Sequence, residues 1–269
     1  MKAISFEFHR PASVTEASAL LAQYEGDARA LAGGQSLVPM LNLRLVRPAA
    51  VVDLSGIAEM RAIEVSSSEI SIGALVTHSE LEFARESGAT FDLLRHVAAA
   101  IGYRGVRNRG TIGGSVAHAD PAADWLSCLL ALGARLSIAG PSGIRQVPIG
   151  DFILGSFTVD LQPGELLTRV HVPLLGASAR WGYYKHTRKV GEFAEAIGCV
   201  VDDEARGIFR VVAGAMSSPP VVLFDRARAT TTLDDVRAAL GTAAPSVEGH
   251  HVHFHAAAVM RALQSGARR

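Results

Sequence analysis

Short runs of alternating hydrophobic and polar residues open this chain, and their spacing changes between strand-like and helix-like periods. Residues 4–9 alternate between apolar and polar side chains, which predicts a half-buried strand. The next apolar positions recur at helical spacing. They follow Ser13 and Glu16, the two residues of a capping-box pattern, and they stop at Gly26. We therefore expect a helix between Ser13 and Gly26.

The same region continues with a strand over 28–32, a helix over 37–45 and a strand over 50–54. Two adjacent glycines, Gly33 and Gly34, follow the first of these strands. In α/β sheets, ligands usually bind at the carboxyl ends of the strands. The pattern thus predicts a small βαβ-like unit with a candidate binding segment at its glycine pair.

A second unit follows, in which strands dominate. The pattern predicts strands over 69–73 and 166–172, a hairpin over 135–149, and helices over 91–101 and 125–132. Asp120 and Pro121 are typical of an N-cap and a first helical residue, so we place the start of the second helix there. Between the helices, the basic, glycine-punctuated segment Arg104–Arg109 is predicted as a loop that leads into a second glycine pair.

Residues 173–178 interrupt this pattern with proline, glycine and small side chains, which indicates a domain boundary. The segments after it are predicted as strands over 181–185, 193–201 and 208–216, a helix from Thr232 to Gly241 and a helix over 255–263. Short polar links between the strands favour an antiparallel sheet. The expected fold class is α+β, with a domain over 1–175, subdivided into about 1–57 and 58–175, and a second domain over 176–269.

Composition narrows the function classes. The 269 residues are 49% hydrophobic, enough for a substantial core, and acidic and basic residues balance at 26 each, so charge indicates no nucleic acid partner. Cys128 and Cys199 have no C-x-x-C spacing, so we expect no thiolate-bound iron–sulfur cluster or zinc in this chain. The sequence shows neither the apolar core of a signal peptide nor the run of about 18 apolar residues of a membrane span. We expect a cytoplasmic protein.

The candidate chemistry lies in two glycine-rich segments, Ala32–Ser36 and Thr111–Ser115, both of which are predicted as loops. Glycine lets the backbone turn sharply and lets its N–H groups approach an anion closely, and serine adds a hydroxyl donor. A single Gly-Gly pair is more often a simple turn, but two in similar contexts could hold one diphosphate between them. The Gly-x-Gly fingerprint of nicotinamide cofactors and the glycine-lysine phosphate loop are both absent from the sequence.

Three segments together resemble the FAD-binding subunit of molybdenum hydroxylases, such as the medium subunits of the carbon monoxide dehydrogenase and xanthine dehydrogenase family. They are Ala32–Pro39, Val106–Ser115 and His118–Asp124, and the resemblance continues through Pro163–Leu167 and Tyr183–Lys185. It implies an FAD-binding domain of the PCMH or vanillyl-alcohol-oxidase-like type, followed by a small antiparallel sheet with helices. In this family the two glycine segments bind the FAD diphosphate.

The resemblance also implies a noncovalent FAD site, with no catalytic residue and no metal ligand in this chain. The implied site residues are Ala32, Gly33, Gly34, Gln35, Ser36, Leu37, Ile101, Thr111, Ile112, Gly113, Gly114, Ser115, Asp124, Leu167 and Lys185. A lysine suits a flavin because it can bond the ring carbonyls and stabilise the negative charge of the reduced ring. Phe193 stands where some relatives have tyrosine, and whether it covers the flavin stays open.

Several of these assignments have structural alternatives. Asp124 could instead complement the dipole of its helix, and Lys185 could be a solvated strand residue. Arg104, Arg107 and Arg109 could offset diphosphate charge or contact a partner subunit, but a solvated, structurally bonded segment is an equal alternative.

The histidines receive no role from the sequence. His251, His253 and His255 alternate, but no cysteine stands near them in the sequence, so a metal site is disfavoured. His78 and His118 could approach the cofactor, yet nothing in their surroundings assigns either of them as an acid or a base.

The resemblance implies electron transfer within a heterotrimer, expected to assemble as a dimer of heterotrimers. The FAD would receive electrons from [2Fe-2S] clusters in a small partner subunit and pass them to an external acceptor, while a large partner subunit would hold the molybdenum cofactor. The alternatives are a self-contained FAD-dependent oxidase or reductase, and a flavin-binding assembly or sensor module without turnover. Neither the hydroxylated substrate nor the acceptor, which could be NAD, a quinone or oxygen, is identified by this chain.

Overall fold

The computed structural model describes residues 2–225, 231–247 and 249–266. Its strands are β1 (Glu7–His9), β2 (Ala28–Leu31), β3 (Ala50–Asp53), β4 (Ile63–Val65), β5 (Glu69–Gly73), β6 (Arg135–Gly140), β7 (Gly143–Pro148), β8 (Ile153–Gly155), β9 (Thr158–Val159), β10 (Leu166–Pro173), β11 (Arg180–His186), β12 (Ala196–Asp203), β13 (Ile208–Gly214) and β14 (Val221–Asp225). Its helices are α1 (Val14–Gln23), α2 (Leu37–Asn42), α3 (His78–Glu82), α4 (Ala89–Ala100), α5 (Arg104–Arg107), α6 (Ile112–His118), α7 (Asp124–Leu132), α8 (Ile149–Phe152), α9 (Leu233–Ala243) and α10 (His250–Gly266).

The first sheet is parallel and has the order β1-β3-β2. Helix α1 connects β1 to β2, and α2 connects β2 to β3, which is the βαβ-like unit that the sequence predicts. Ser13 caps α1 by accepting the backbone N–H of Glu16. The Glu16 carboxylate accepts the N–H of Ala12 and not that of Ser13, so only half of the predicted capping box forms. The Gly33-Gly34 pair directly follows β2, at the carboxyl end of the strand.

The second sheet is antiparallel, with the order β4-β5-β10-β6-β7, and β10 is its central strand. The hairpin between β6 and β7 turns at the predicted Pro141-Ser142-Gly143 segment. Helix α7 packs between this sheet and the third one, since it contacts β10 on one side and β12 and β13 on the other. Its residues Trp125, Leu126 and Leu129 are completely buried. A helix that is covered on both sides is apolar all round, as this one is.

The third sheet is antiparallel, with the order β11-β12-β13-β14, and helix α10 packs against it. Two glycines allow this close packing. A Cβ atom added at Gly182 would lie 1.9 Å from the carbonyl oxygen of Ala262, and one at Gly198 would lie 2.6 Å from that of Ala258. The predicted antiparallel sheet is therefore present, with β14 as a fourth strand that the periodicity did not reveal.

Two motif predictions are wrong. Thr111–Ser115 is not a loop, because Thr111 is the N-cap of α6 and the glycine pair lies in the first turn of that helix. Asp120 and Pro121 do not start α7, which begins at Asp124 after the N-cap residue Ala123. The Asp120 side chain instead accepts the N–H of Ala122 in a local turn. Such short-range bonding competes with helix capping and uses the same residue types.

Several boundaries also differ from the predictions. Helix α2 ends at Asn42, β12 starts at Ala196, and the predicted basic loop contains the short helix α5. Gly241 lies inside α9 and does not end it, since a single glycine costs a helix only about 1 kcal/mol. The last helix begins at His250, five residues before the predicted start. The prediction missed its first turn because that turn is polar and carries no apolar stripe. Within the described residues, no helix is long and apolar enough to cross a membrane.

Candidate functional site

A cavity of about 550 Å³ lies where the first sheet, the second sheet and strand β11 meet. Except for Ile112, all the predicted site residues line it: Ala32, Gly33, Gly34, Gln35, Ser36, Leu37, Ile101, Thr111, Gly113, Gly114, Ser115, Asp124, Leu167 and Lys185. Ile112 is fully buried in the main hydrophobic core. Residues far apart in sequence therefore meet at one site, and its size is that of ordinary ligand cavities. Their contact with a ligand stays a prediction.

The glycines of the two segments are required by close backbone contacts. A Cβ atom at Gly33 would lie 2.0 Å from the carbonyl oxygen of Arg109, just before the second segment. A Cβ atom at Gly113 would lie 2.3 Å from the Cβ atom of Ala74 and 2.7 Å from its carbonyl oxygen. No L-residue with a side chain fits these gaps without a backbone shift. Gly33 thus lets the first segment pack directly against the chain that leads into the second.

The two segments differ in the backbone donors that they offer. Within the described residues, the N–H groups of Gly34, Gln35 and Ser36 donate to no protein acceptor. The four N–H groups of 112–115 are all engaged at 3.0 Å, with acceptors at Val76, Ala74 and Thr111. The second segment was expected to cradle an anion with its amides, but in this structure two of these amides bond the residues after β5 and two bond Thr111, the N-cap of α6.

Lys185 and Asp124 form a buried ion pair on one wall of the cavity. The Lys185 Nζ atom lies 2.9 Å from Asp124 Oδ2 and also donates to the carbonyl oxygen of Ala100 at 3.2 Å. The Tyr183 hydroxyl donates to Asp124 Oδ1 at 2.7 Å. Burial raises the pKa of the Asp124 carboxyl, although Lys185 and Tyr183 oppose this shift. An ammonium group has three N–H donors, so one of Lys185 is left for a ligand.

This arrangement decides between the alternatives for Lys185. The lysine side chain is only 9% exposed, so it is not a solvated strand residue. Asp124 is the first residue of α7, where a carboxylate also complements the helix dipole. Asp124 therefore pairs with Lys185 and also lies where it complements the helix dipole, while its contact with the cofactor stays a prediction.

Arg107 is used structurally. Its guanidinium pairs with the Glu82 carboxylate at 2.7 Å and donates to the carbonyl oxygens of Ile101 and Gly102. Arg104 and Arg109 are exposed. Of the three basic residues, Arg107 therefore fits the structurally bonded alternative.

The cavity also includes residues that the sequence did not select. His78 lines it, and its Nδ1 atom accepts a hydrogen bond from Trp125 Nε1 at 3.0 Å. Burial lowers the pKa of His78 to about 4, with a smaller contribution from the charge of Arg107. The ring of His118 lies 5.2 Å from that of Phe157, a residue with the unusual φ of 56°. Positive φ at a non-glycine residue is a signal that only a structure reveals.

The mouth of the cavity is formed in part by the segment before β12. Gly191, Glu192 and Phe193 line the cavity there, and Phe193 is 65% exposed. Tyr103 lies directly against Gly191, where an added Cβ atom would come within 2.4 Å of its ring. Exposed apolar side chains thus border the opening.

Other predicted features lie away from the cavity. Cys128 and Cys199 are both free and buried, as expected of inert thiols in the interior. In the part of the chain that the structure describes, no group of three or more potential ligands could hold a metal ion. His255 is buried, and burial lowers its pKa to about 4, while His251 and His253 are exposed on the same helix.

The fold and the site define an α+β protein with a nucleotide-sized cavity between its sheets. Residues 4–175 match the family described as the FAD binding domain in molybdopterin dehydrogenase, and the chain belongs to that family. Over 196 residues it is 40% identical to the carbon monoxide dehydrogenase medium chain of Hydrogenophaga pseudoflava, covering 73% of this chain and 68% of the relative. It is 29% identical over 194 residues, 71% of this chain and 66% of the relative, to a protein named putative xanthine dehydrogenase FAD-binding subunit XdhB, from Escherichia coli.

Solved structures of other proteins are similar to this chain over its whole length. A structure of carbon monoxide dehydrogenase from Hydrogenophaga pseudoflava matches with a TM-score of 0.90 and 33% identity, covering 100% of this chain and 99% of the other. A chain of quinoline 2-oxidoreductase from Pseudomonas putida 86 matches with a TM-score of 0.87 and 29% identity, again over 100% and 99%. The predicted family, the α+β fold class and the FAD cofactor are confirmed. The domain boundaries and the individual site residues stay predictions.

Proposed function

We propose that this chain is the electron-transfer subunit of a heterotrimeric molybdenum hydroxylase. In this role, FAD takes electrons from [2Fe-2S] clusters in a small partner subunit and passes them to an external acceptor, while a large partner subunit holds the molybdenum cofactor. The observation that carries the proposal is the match of residues 4–175 to an FAD binding domain of molybdopterin dehydrogenases. We place the domain boundary where that match ends, with 1–175 binding FAD and 176–269 completing the site.

The residues that line the cavity support FAD as its ligand. Gly33 and Gly113 let its glycine segments pack closely against neighbouring residues, and the unpaired N–H groups of 34–36 suit the diphosphate, which is anionic. Lys185, which also lines the cavity, would offer its remaining N–H to the flavin ring. FAD supplies the electron chemistry when it is bound, because it can accept electrons one at a time and deliver two together.

The residues of this chain bind and orient the cofactor and perform no substrate chemistry. Gly33, Gly34 and Ser36 would hold the diphosphate, and Lys185 would stabilise negative charge on the ring. Asp124 would fix the position of the lysine, since its buried carboxylate accepts hydrogen bonds from both Lys185 and Tyr183. Leu167 and Ile101 would supply apolar contact.

The proposed setting is a soluble cytoplasmic complex, expected as a dimer of heterotrimers. The likeness to the carbon monoxide dehydrogenase medium chains supports the heterotrimer, because a medium chain implies a larger and a smaller one. Other relatives are named as subunits of caffeine dehydrogenase and of nicotine 6-hydroxylase, so the substrate of the complex varies among relatives. We leave the substrate and the acceptor unassigned.

Copurification with and without the neighbouring genes tests the proposal. We expect the chain alone to bind FAD but to oxidise no organic substrate, and we expect a reduced iron–sulfur partner to reduce its flavin rapidly. A single chain that turns over a substrate without molybdenum or iron would support the self-contained oxidase instead. Flavin that no partner can reduce would support a sensor or assembly module.

A further inference from the structure

We propose that His78 binds the cofactor, donating a hydrogen bond from its Nε2–H group to a diphosphate oxygen of FAD. The inference rests on the proposed FAD function and adds a residue to its site. His78 is the first residue of α3, is 4% exposed and lines the cavity next to Gly110 and Thr111. Its backbone is fixed there as well, since its N–H donates to the carbonyl oxygen of Gly110 at 2.9 Å.

A donor is needed on this side of the cavity. The N–H groups of 112–115 donate to Val76, Ala74 and Thr111, so the Thr111 N–H is the one amide of the second glycine segment that donates to no described acceptor. Buried anionic oxygens require hydrogen-bond donors, because desolvation without them is costly. A diphosphate that lies against this segment therefore meets few free backbone donors there, and the side chain of His78, which is beside it, adds one.

Trp125 fixes the tautomer of His78. The indole Nε1–H donates to His78 Nδ1 at 3.0 Å, so this ring nitrogen must be the acceptor. A neutral imidazole that accepts at Nδ1 carries its proton on Nε2. Burial and the charge of Arg107 lower the pKa of the ring to about 4, which agrees with a neutral ring at physiological pH. The donor is thus uncharged and has a set direction.

The Nε2 atom of His78 is accessible, and the side chain that carries it lines the cavity. No described residue accepts a hydrogen bond from Nε2. Within the described residues, the side-chain polar atoms that have no partner and are also inaccessible to solvent are Ser127 Oγ, Asp203 Oδ1, Arg237 Nε and His255 Nδ1. Since His78 Nε2 has no partner and is not one of these four, it is accessible. Glycine at position 110 keeps the atom uncovered, because a Cβ there would lie 2.8 Å from His78 Nε2. An oriented donor therefore faces the space beside the second glycine segment.

The test compares FAD affinity in the full chain with His78→Phe and His78→Gln, measured by fluorescence titration of the apoprotein. Phenylalanine keeps the ring shape without a donor, and glutamine keeps a donor. We expect His78→Phe to raise the Kd for FAD by about tenfold or more, and His78→Gln to recover much of that loss. The phosphorus NMR resonances of bound FAD should shift in His78→Phe relative to the wild type.

A second measurement needs no variant that must fold. In wild-type protein labelled with nitrogen isotope, the His78 Nε2 resonance should be that of a protonated ring nitrogen and should move when FAD is added. An unchanged Kd in folded His78→Phe, or an Nε2 resonance insensitive to FAD, would overturn the inference while leaving FAD binding intact. Wild-type apoprotein that takes up no FAD would instead defeat the proposed function itself.

Discussion

The Lys185 ammonium lies 2.9 Å from the Asp124 carboxylate, and both side chains are at least nine-tenths buried. Breaking a buried ion pair leaves one charge without compensation, which typically costs about 3–5 kcal/mol. We therefore expect Lys185→Met to lower the free energy of unfolding of the apoprotein by about this amount, as measured by urea denaturation. Flavin affinity should fall as well, because the proposed donor to the flavin ring is lost.

An exposed pair provides the matched control for this prediction. Glu64 pairs with Arg169 at 2.8 Å, but the Glu64 side chain is 62% exposed. We expect Glu64→Gln to change the unfolding free energy by less than about 1 kcal/mol. Equal effects of Lys185→Met and Glu64→Gln would show that the Asp124–Lys185 pair is not energetically distinct from a surface pair.

Protonation of His78 should destabilise the fold in acid. The pKa of this ring is about 4 in the folded protein and about 6.5 in an unfolded chain, so the unfolded state binds the proton more tightly. The stability linked to the neutral ring is present above pH 6.5 and is lost as the pH falls toward 4, a total of about 3 kcal/mol. His78→Gln should show a correspondingly flatter loss between pH 7 and 4.5 in urea titrations. An identical pH dependence in the two proteins would contradict the low pKa.

The sequence predicted the parts of the site that depend on local pattern. The glycine pair after β2 and the apolar helix α7 both carry strong short-range signals, and the family motifs identified the residues that line the cavity. The sequence could not predict contacts between distant segments. Trp125 and His78 are 47 positions apart, and Lys185 and Asp124 are 61 positions apart, so only the folded chain shows these partners.

The same limit explains why the structure of the second glycine segment was predicted wrongly. Its residue types fit an anion-binding loop, and nothing local distinguishes that structure from a capped helix. The acceptors that engage its amides, Val76 and Ala74, belong to the chain after β5. Likewise, the role of Gly113 follows from Ala74, whose side chain occupies the space where a Cβ would be. Tertiary contacts therefore decide what a Gly-Gly pair does.

Gly34→Val should destabilise the fold because of the backbone conformation at this position. Gly34 has φ of +74°, a conformation that a β-branched residue adopts only with strain. Its Cβ would also lie 3.1 Å from Val38 and 3.3 Å from Leu31. We expect a loss of about 1–2 kcal/mol or more in unfolding free energy together with reduced FAD content. If the variant kept wild-type stability and lost only FAD, obstruction of the ligand would be the better explanation.

Gly33→Ala tests whether contact between the chain segments shapes the site. A Cβ at this position would lie 2.0 Å from the carbonyl oxygen of Arg109, so the two segments must move apart by a large fraction of an atomic diameter. We expect the variant to fold with a lower Tm and to retain much less FAD per chain, as measured by flavin absorbance after gel filtration.

Gly105→Ala is the matched control, because it also adds one methyl group near the cavity but meets no atom within 4 Å. Since Gly105 lies in α5, alanine there should leave FAD content unchanged and slightly favour the helix. Equal FAD content in the two variants would mean that the close contact at Gly33 does not form the binding site.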